Sequence, residues 1–196
     1  MILLAIETSC DETSVALLKR VRGKTVRFEV LSHTILSQID IHKEYGGVFP
    51  ALAKREHART ITQLIAESLN SADLLVERAR LAPLPMAVKK KLGVLLEREE
   101  EMLRALTVLF EGVQKPKIDA IAVTSGPGLE PALWVGVNCA MALHLVCDIP
   151  VYPINHMEGH IVASLLSKKG DFYEIPKYEY PALALLISGG HTELVR

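Results

Sequence analysis

The sequence predicts an α/β fold in which a mixed sheet is flanked by helices. Three observations carry that prediction. Met1–Glu7 and Ile118–Ser125 are near-continuous apolar runs, of the kind found in central strands covered on both faces. Thr25–His33 alternates, with Val26, Phe28 and Val30 on one face and Arg27 and Glu29 on the other, as a half-exposed strand does. From Ile118 onward, strand-like and helix-like stretches take turns, the order that builds βα units.

The elements follow in order. After Met1–Glu7 the polar cluster ETSCDET makes a tight turn, and SVALLK (Ser14–Lys19) returns as a second strand. Thr25–His33 then completes a three-stranded meander within residues 1–34. A Gly-rich loop, HKEYGG, leads to a helix from about Pro50, where proline suits the first turn. Residues 71–116 are dense in charge, with VERAR and VKKKLGVLLEREEEMLRAL. Leu92, Leu95, Leu96, Met102, Leu103 and Leu106 recur there at helical spacing, which predicts a helix or helical hairpin broken near Pro83 and Pro85. Its charges read as a solvated face, and the segment as a protrusion that the core does not need.

Ile118–Ser125 is the next buried strand, and GPGLEPALWVGVNCAMALHLVC is a Gly/Pro turn opening a helix. IPVYPIN is a short strand, HMEGHIVASLLSK (156–168) a helix, and YPALALLISGGHTELV a strand, a Gly-Gly turn and the start of another strand. One lobe is expected over residues 1–176, carrying the charged helical insertion at about 71–116. Residues 177–196 are expected to hold the first strand or strands of a second lobe.

Bulk composition narrows the function classes. A chain of 196 residues with 49% hydrophobic residues can bury a sizeable core. With 22 Lys+Arg against 23 Asp+Glu, no global basicity advertises nucleic acid, although a local basic patch is compatible with that balance. Cys10, Cys139 and Cys147 are scattered, form no zinc-ribbon pair and no disulfide framework, and suit a reducing cytoplasm. The apolar N-terminus has no basic stretch before it and meets Glu7, so it reads as a strand rather than a signal peptide. The longest apolar run, Ala132–Cys147, is shorter than the ~20 residues of a membrane span and carries Asn138 and His144. A buried helix and no membrane association are expected.

Four motifs bear on chemistry. In NHMEGH, His156 and His160 stand four apart, on one face of a helix, where two imidazoles can hold one divalent metal. Such pairs also arise on solvated helices, but this one follows the end of a strand, where α/β sheets hold ligands. A zinc endopeptidase of the H-E-x-x-H type needs glutamate directly after the first histidine, and that position is Met157. Glu158 comes one residue later, about 100° further round the helix, and is badly placed to activate a metal-bound water. In ISGGH the Gly-Gly turn allows backbone N–H groups close to an anion, although plain hairpins use it too. TSGPGLEPALWVGV can cradle an anion at a helix N-terminus or simply join strand to helix. ETSCDETS gathers carboxylates and hydroxyls at a strand–turn–strand.

The element order resembles the ribonuclease H-like lobe used twice in the actin, Hsp70 and sugar kinase superfamily, where nucleotide lies between two lobes. AIETSCDETSVAL, YGGVFPALAKREHA, DAIAVTSGPGLEPALWVGV, INHMEGHI and LALLISGGHTEL, in this order, closely resemble the TsaD/Gcp family of tRNA N6-adenosine threonylcarbamoyltransferases. The likeness covers nearly the whole chain apart from roughly 71–116. It implies transfer of threonylcarbamoyl from threonylcarbamoyl-adenylate, an ATP-type nucleotide derivative, to the adenosine beside the anticodon in tRNAs reading ANN codons. It implies that His156 and His160 bind a divalent metal, iron or zinc, and that Leu186, Ile187, Ser188, Gly189 and Gly190 bind substrate. Asp11 and Glu12 match the acidic turn near the reaction centre, and a supporting catalytic role follows for them by resemblance. TsaB-like and TsaE-like proteins are the implied partners, with tRNA, in the cytoplasm.

In the family a third metal ligand is an aspartate of the second lobe, beyond Arg196. The chain therefore reads as an N-terminal part, inactive alone. The rival readings are a non-catalytic scaffold subunit of the same modification complex, which in TsaB lacks the histidine pair, and a metalloendopeptidase.

Overall fold

The structure, a computed structural model, describes residues 1–23, 25–177, 181–188 and 191–196. Its centre is a hairpin of β1 (Ile2–Glu7) and β2 (Glu12–Val21), in antiparallel register from Ile2↔Lys19 to Glu7↔Ser14. β3 (Arg27–Ser37) pairs antiparallel with β2 and completes the expected meander, longer than its alternating stretch suggests. On the other edge of β1 lies β4 (Ala120–Gly126), parallel, and beyond it β5 (Val151–Asn155), also parallel. This gives the order β3-β2-β1-β4-β5, the mixed sheet of a ribonuclease H-like lobe. The apolar runs at 1–7 and 118–125 are thus central strands, with Leu4, Ile6, Ile121 and Val123 buried.

Two short elements at the sheet edge were not expected. β6 (Ser167–Lys169) and β7 (Phe172–Glu174) form a hairpin that continues the sheet from β3. Consequently the helix expected over 156–168 ends early, as α6 (His156–Leu165). The hairpin is held by Glu174, buried among cations: it accepts from Arg27 Nε at 3.1 Å and pairs with Lys169 Nζ. Phe28 stacks on Tyr173, ring centroids 5.8 Å apart, across the same strand pair.

Helices cover the sheet. After a short turn of helix, α1 (Ile39–His42), α2 (Pro50–Ser71) starts with its proline at the first position and packs on β2 and β3. α5 (Glu130–Cys147) is apolar nearly all round and lies against β4 and α2. By length and composition α5 is long and apolar enough to cross a membrane, and its buried residues, from Ala132 to Cys147, account for that hydropathy as a core helix.

The charged segment overturns one expectation. It forms α3 (Met86–Leu95) and α4 (Glu100–Gly112), a helical hairpin that packs on α5 and α2 and does not protrude from the core. Leu92, Leu96, Met102, Leu106 and Phe110 are all at most 2% exposed, in the same cluster as Leu4, Ile61 and Val135. The physical reason lies in α5: a helix without a polar face has to be covered on more than the side that meets the sheet. The charges of α3 and α4 do face solvent, but their apolar stripe is core.

β8 (Ala184–Ser188) and β9 (His191–Val195) pair antiparallel as a separate two-stranded sheet, in agreement with the two strands read from the sequence; the Gly-Gly turn read between them lies outside the described residues.

Candidate metal centre at the strand ends

Because β1, β4 and β5 run parallel, their carboxyl ends lie side by side, and the candidate site is assembled there. β1 contributes Glu7, β4 contributes Thr124, and Asn155 ends β5 and begins α6. The side chain of Asn155 accepts from the backbone N–H of Met157 at 2.8 Å and of Glu158 at 3.2 Å. This N-cap satisfies two of the donors that a helix start leaves open, and it fixes the first turn that carries His156.

Four residues on, His160 lies one helical turn above His156, and the two Nε2 atoms are 3.0 Å apart. The rings meet edge to face, centroids 4.5 Å apart. His156 is turned inward, with its Nδ1 3.3 Å from Glu7 Oε2 and 3.3 Å from Ser9 Oγ, whereas His160 is exposed. Glu7 in turn accepts from Ser9 N at 2.6 Å through Oε1 and from Thr124 Oγ1 through Oε2. Burial alone would raise the Glu7 carboxyl. The hydrogen bonds from Ser9 and Thr124 and the charge of His156 outweigh it and hold Glu7 below the usual carboxylate range.

Two converging imidazole nitrogens are donors that suit iron or zinc, and atoms 3.0 Å apart can both reach one ion at the usual ~2.0–2.1 Å. Among the described residues no group of three or more histidines, cysteines or acids forms a metal cluster. Glu158 is exposed.

The turn after β1 carries the predicted acidic pair. Asp11 is half-buried and its carbonyl accepts from Gln38 N at 2.8 Å, while Glu12 is exposed and opens β2. The described hydrogen bonds and ion pairs tie neither carboxylate to the histidine pair; Glu7 is the acid that touches His156. Sequence reading overlooked that role, although the signal was present: Glu7 is the acid that closes an otherwise apolar strand. Of the expected substrate segment, Leu186, Ile187 and Ser188 lie in β8, whereas Gly189 and Gly190 are outside the described residues.

A buried polar chain braces the same turn from behind. Phe49 N donates to His42 Nδ1 at 3.3 Å, which leaves His42 Nε2 to donate to Gln38 Oε1 at 3.2 Å. Gln38 Nε2 then donates to His57 Nδ1 at 3.2 Å, and His57 Nε2 donates to the Cys10 carbonyl at 3.0 Å. Each step fixes the next, because a carbonyl can only accept. From the α5 side, Leu129 N donates to Ser9 O at 2.8 Å and Thr8 Oγ1 to Ala132 O at 2.9 Å.

A ribonuclease H-like α/β lobe with a histidine pair at the carboxyl ends of its parallel strands is the class that fold and site define. The sequence matches the TsaD family, described as tRNA N6-adenosine threonylcarbamoyltransferase, over residues 29–80 and 99–196, and the chain belongs to that family. It is 40% identical over 194 residues to the tRNA N6-adenosine threonylcarbamoyltransferase of Staphylococcus carnosus, covering 99% of this chain and 41% of the relative. The enzyme of the same name from Thermomicrobium roseum is 40% identical over 195 residues, again with 41% of its length covered. The chain thus spans about two fifths of the length of these relatives. Among solved structures, YeaZ from Pseudomonas aeruginosa aligns with 99% of this chain and 64% of its own at a TM-score of 0.43 and 14% identity, a loose likeness. The gap between the two matched stretches, 81–98, holds the start of the helical hairpin and all of α3.

Proposed function

We propose that this lobe is the metal-holding part of an enzyme that transfers threonylcarbamoyl from threonylcarbamoyl-adenylate to the exocyclic amine of the adenosine beside the anticodon, in tRNAs reading ANN codons. The supporting observation is the convergence of His156 and His160 Nε2 to 3.0 Å, at the strand ends of a chain that belongs to the TsaD family. His156 and His160 would hold the divalent ion, Fe2+ or Zn2+, which when bound supplies a Lewis acid for the threonylcarbamoyl carbonyl.

The remaining work falls to the chain's own groups. Asn155 sets the helix start, and Glu7 sets the ring of His156. The segment from Leu186 and Ile187 through Ser188, Gly189 and Gly190 would offer backbone donors to the substrate. Asp11 and Glu12 would support the reaction centre from the turn after β1. An adenine amine is a weak nucleophile, so alignment of donor and acceptor counts for more than a strong base, and alignment can be worth roughly 7–11 kcal/mol. The partners this reading carries are tRNA and TsaB-like and TsaE-like proteins in the cytoplasm, away from membranes.

The test incubates the full-length gene product with threonylcarbamoyl-adenylate, unmodified tRNA and those partner proteins, and reads modified adenosine by mass spectrometry. Modification is expected with the unaltered protein and none with His156→Ala. Unmodified tRNA throughout, or full activity in His156→Ala, would overturn the reading.

A further inference from the structure

We infer that Glu7 is the positioning residue of the histidine pair: its carboxylate accepts a hydrogen bond from the Nδ1–H of His156 and so turns the bare Nε2 of that ring toward His160. This deepens the metal reading above and rests on it. The hydrogen bonds leave little choice of arrangement. Glu7 Oε1 is engaged by the Ser9 backbone N–H at 2.6 Å, and Oε2 faces both Thr124 Oγ1 and His156 Nδ1, the latter at 3.3 Å. A carboxylate so placed can only accept, so the imidazole carries its proton on Nδ1. The Ser9 hydroxyl, 3.3 Å from the same nitrogen, can act either way and does not oppose this. The Nε2 of His156 is then a free lone pair, and His160 Nε2, 3.0 Å away, donates to it in the metal-free protein. An ion entering between the rings finds one nitrogen already bare. It needs only the neutral His160 to move its proton to the far side of an exposed ring.

A carboxylate behind a metal-binding histidine fixes the tautomer and makes the ring a better donor, and its loss typically costs 10–100-fold in metal affinity. Glu7 reaches His156 across 149 positions of sequence, from the end of a central strand, and is itself gripped by β4 through Thr124. It is a rigid support rather than a mobile surface acid.

Glu7→Gln is the discriminating variant. Its single amide oxygen is claimed by the Ser9 N–H, for which the described residues offer no other acceptor, so the amide NH2 faces His156. Nδ1 must then accept, and the proton moves to Nε2. Nitrogen-15 NMR of the metal-free protein is expected to find His156 protonated on Nδ1 in the unaltered protein and on Nε2 in Glu7→Gln. Titration with Co2+, followed by its visible absorption, is expected to show affinity about 10-fold lower in Glu7→Gln and up to ~100-fold lower in Glu7→Ala. Where Glu7→Ala unfolds, Glu7→Gln, which keeps the shape, decides. The same tautomer and the same Co2+ affinity in all variants would overturn the inference and make Glu7 a purely structural tie. Absence of Co2+ binding in the unaltered protein would instead refute the metal reading, and the tautomer measurement would still decide the role of Glu7.

Discussion

Gly136 and His57 show how single residues hold the strand-end turn in place. A Cβ on Gly136 would come within 2.5 Å of Thr8 Oγ1, so α5 lies against the turn only because that position has no side chain. Gly136→Ala gains about 1 kcal/mol of helix propensity, but the crowding should cost more, about 1–3 kcal/mol. Urea denaturation should therefore show a net loss of stability, and Thr8→Ala in the same chain should restore most of it, since the clash is with that side chain. His57 is wholly buried, and burial holds its imidazole below the usual value, against the opposing pull of the Cys10 carbonyl and the charges of Glu7 and Asp11. Its sign follows from linkage. Below about pH 6.5 the unfolded chain binds a proton that the folded chain refuses, so stability falls as the pH drops through that value. Urea midpoints of the unaltered protein should decline between pH 7.5 and 5.5, and His57→Gln should remove a measurable part of the decline. An identical slope in both would show that His57 is not responsible. Glu7 illustrates what residue types alone do not tell. The ETSCDET turn offers three acids, and only strand pairing decides that the first of them meets His156.

At the scale of elements, the helical hairpin is the instructive case. Its stripe of Leu92, Leu96, Met102 and Leu106 was legible in the sequence, and so was its helical period. Its burial was not legible, because a dense run of charges and a buried stripe coexist on one amphipathic helix. Leu106→Ala should cost about 2–5 kcal/mol, measured by thermal or urea unfolding. Arg104→Ala, which removes an exposed pair with Glu100 one turn away, should change stability by no more than about 0.5 kcal/mol. Equal small effects would mean that the hairpin is peripheral. The strands tell the complementary story. β1, β4 and β3 announced themselves through apolar runs or alternation, whereas β6 and β7 did not. Three residues each, rich in charge and aromatics at a sheet edge, they carry too short a pattern to read, and the ion pair of Glu174 with Arg27 that helps secure them joins positions 147 residues apart.

For the molecule as a whole, the parallel placement of β4 beside β1 has a consequence for how the protein is made. The β1–β2–β3 meander is local in sequence and can close once residue 37 is available, but one edge of β1 then waits for β4 at residue 120. At roughly 5–20 residues per second of synthesis, that wait is about 4–17 s. The hairpin of α3 and α4 lies wholly inside this interval and lengthens it. During that time the nascent chain displays an apolar central strand with unpaired backbone groups, the sort of edge to which chaperones and other nascent chains adhere. His156, 149 residues from Glu7, can meet its carboxylate only after this window has closed.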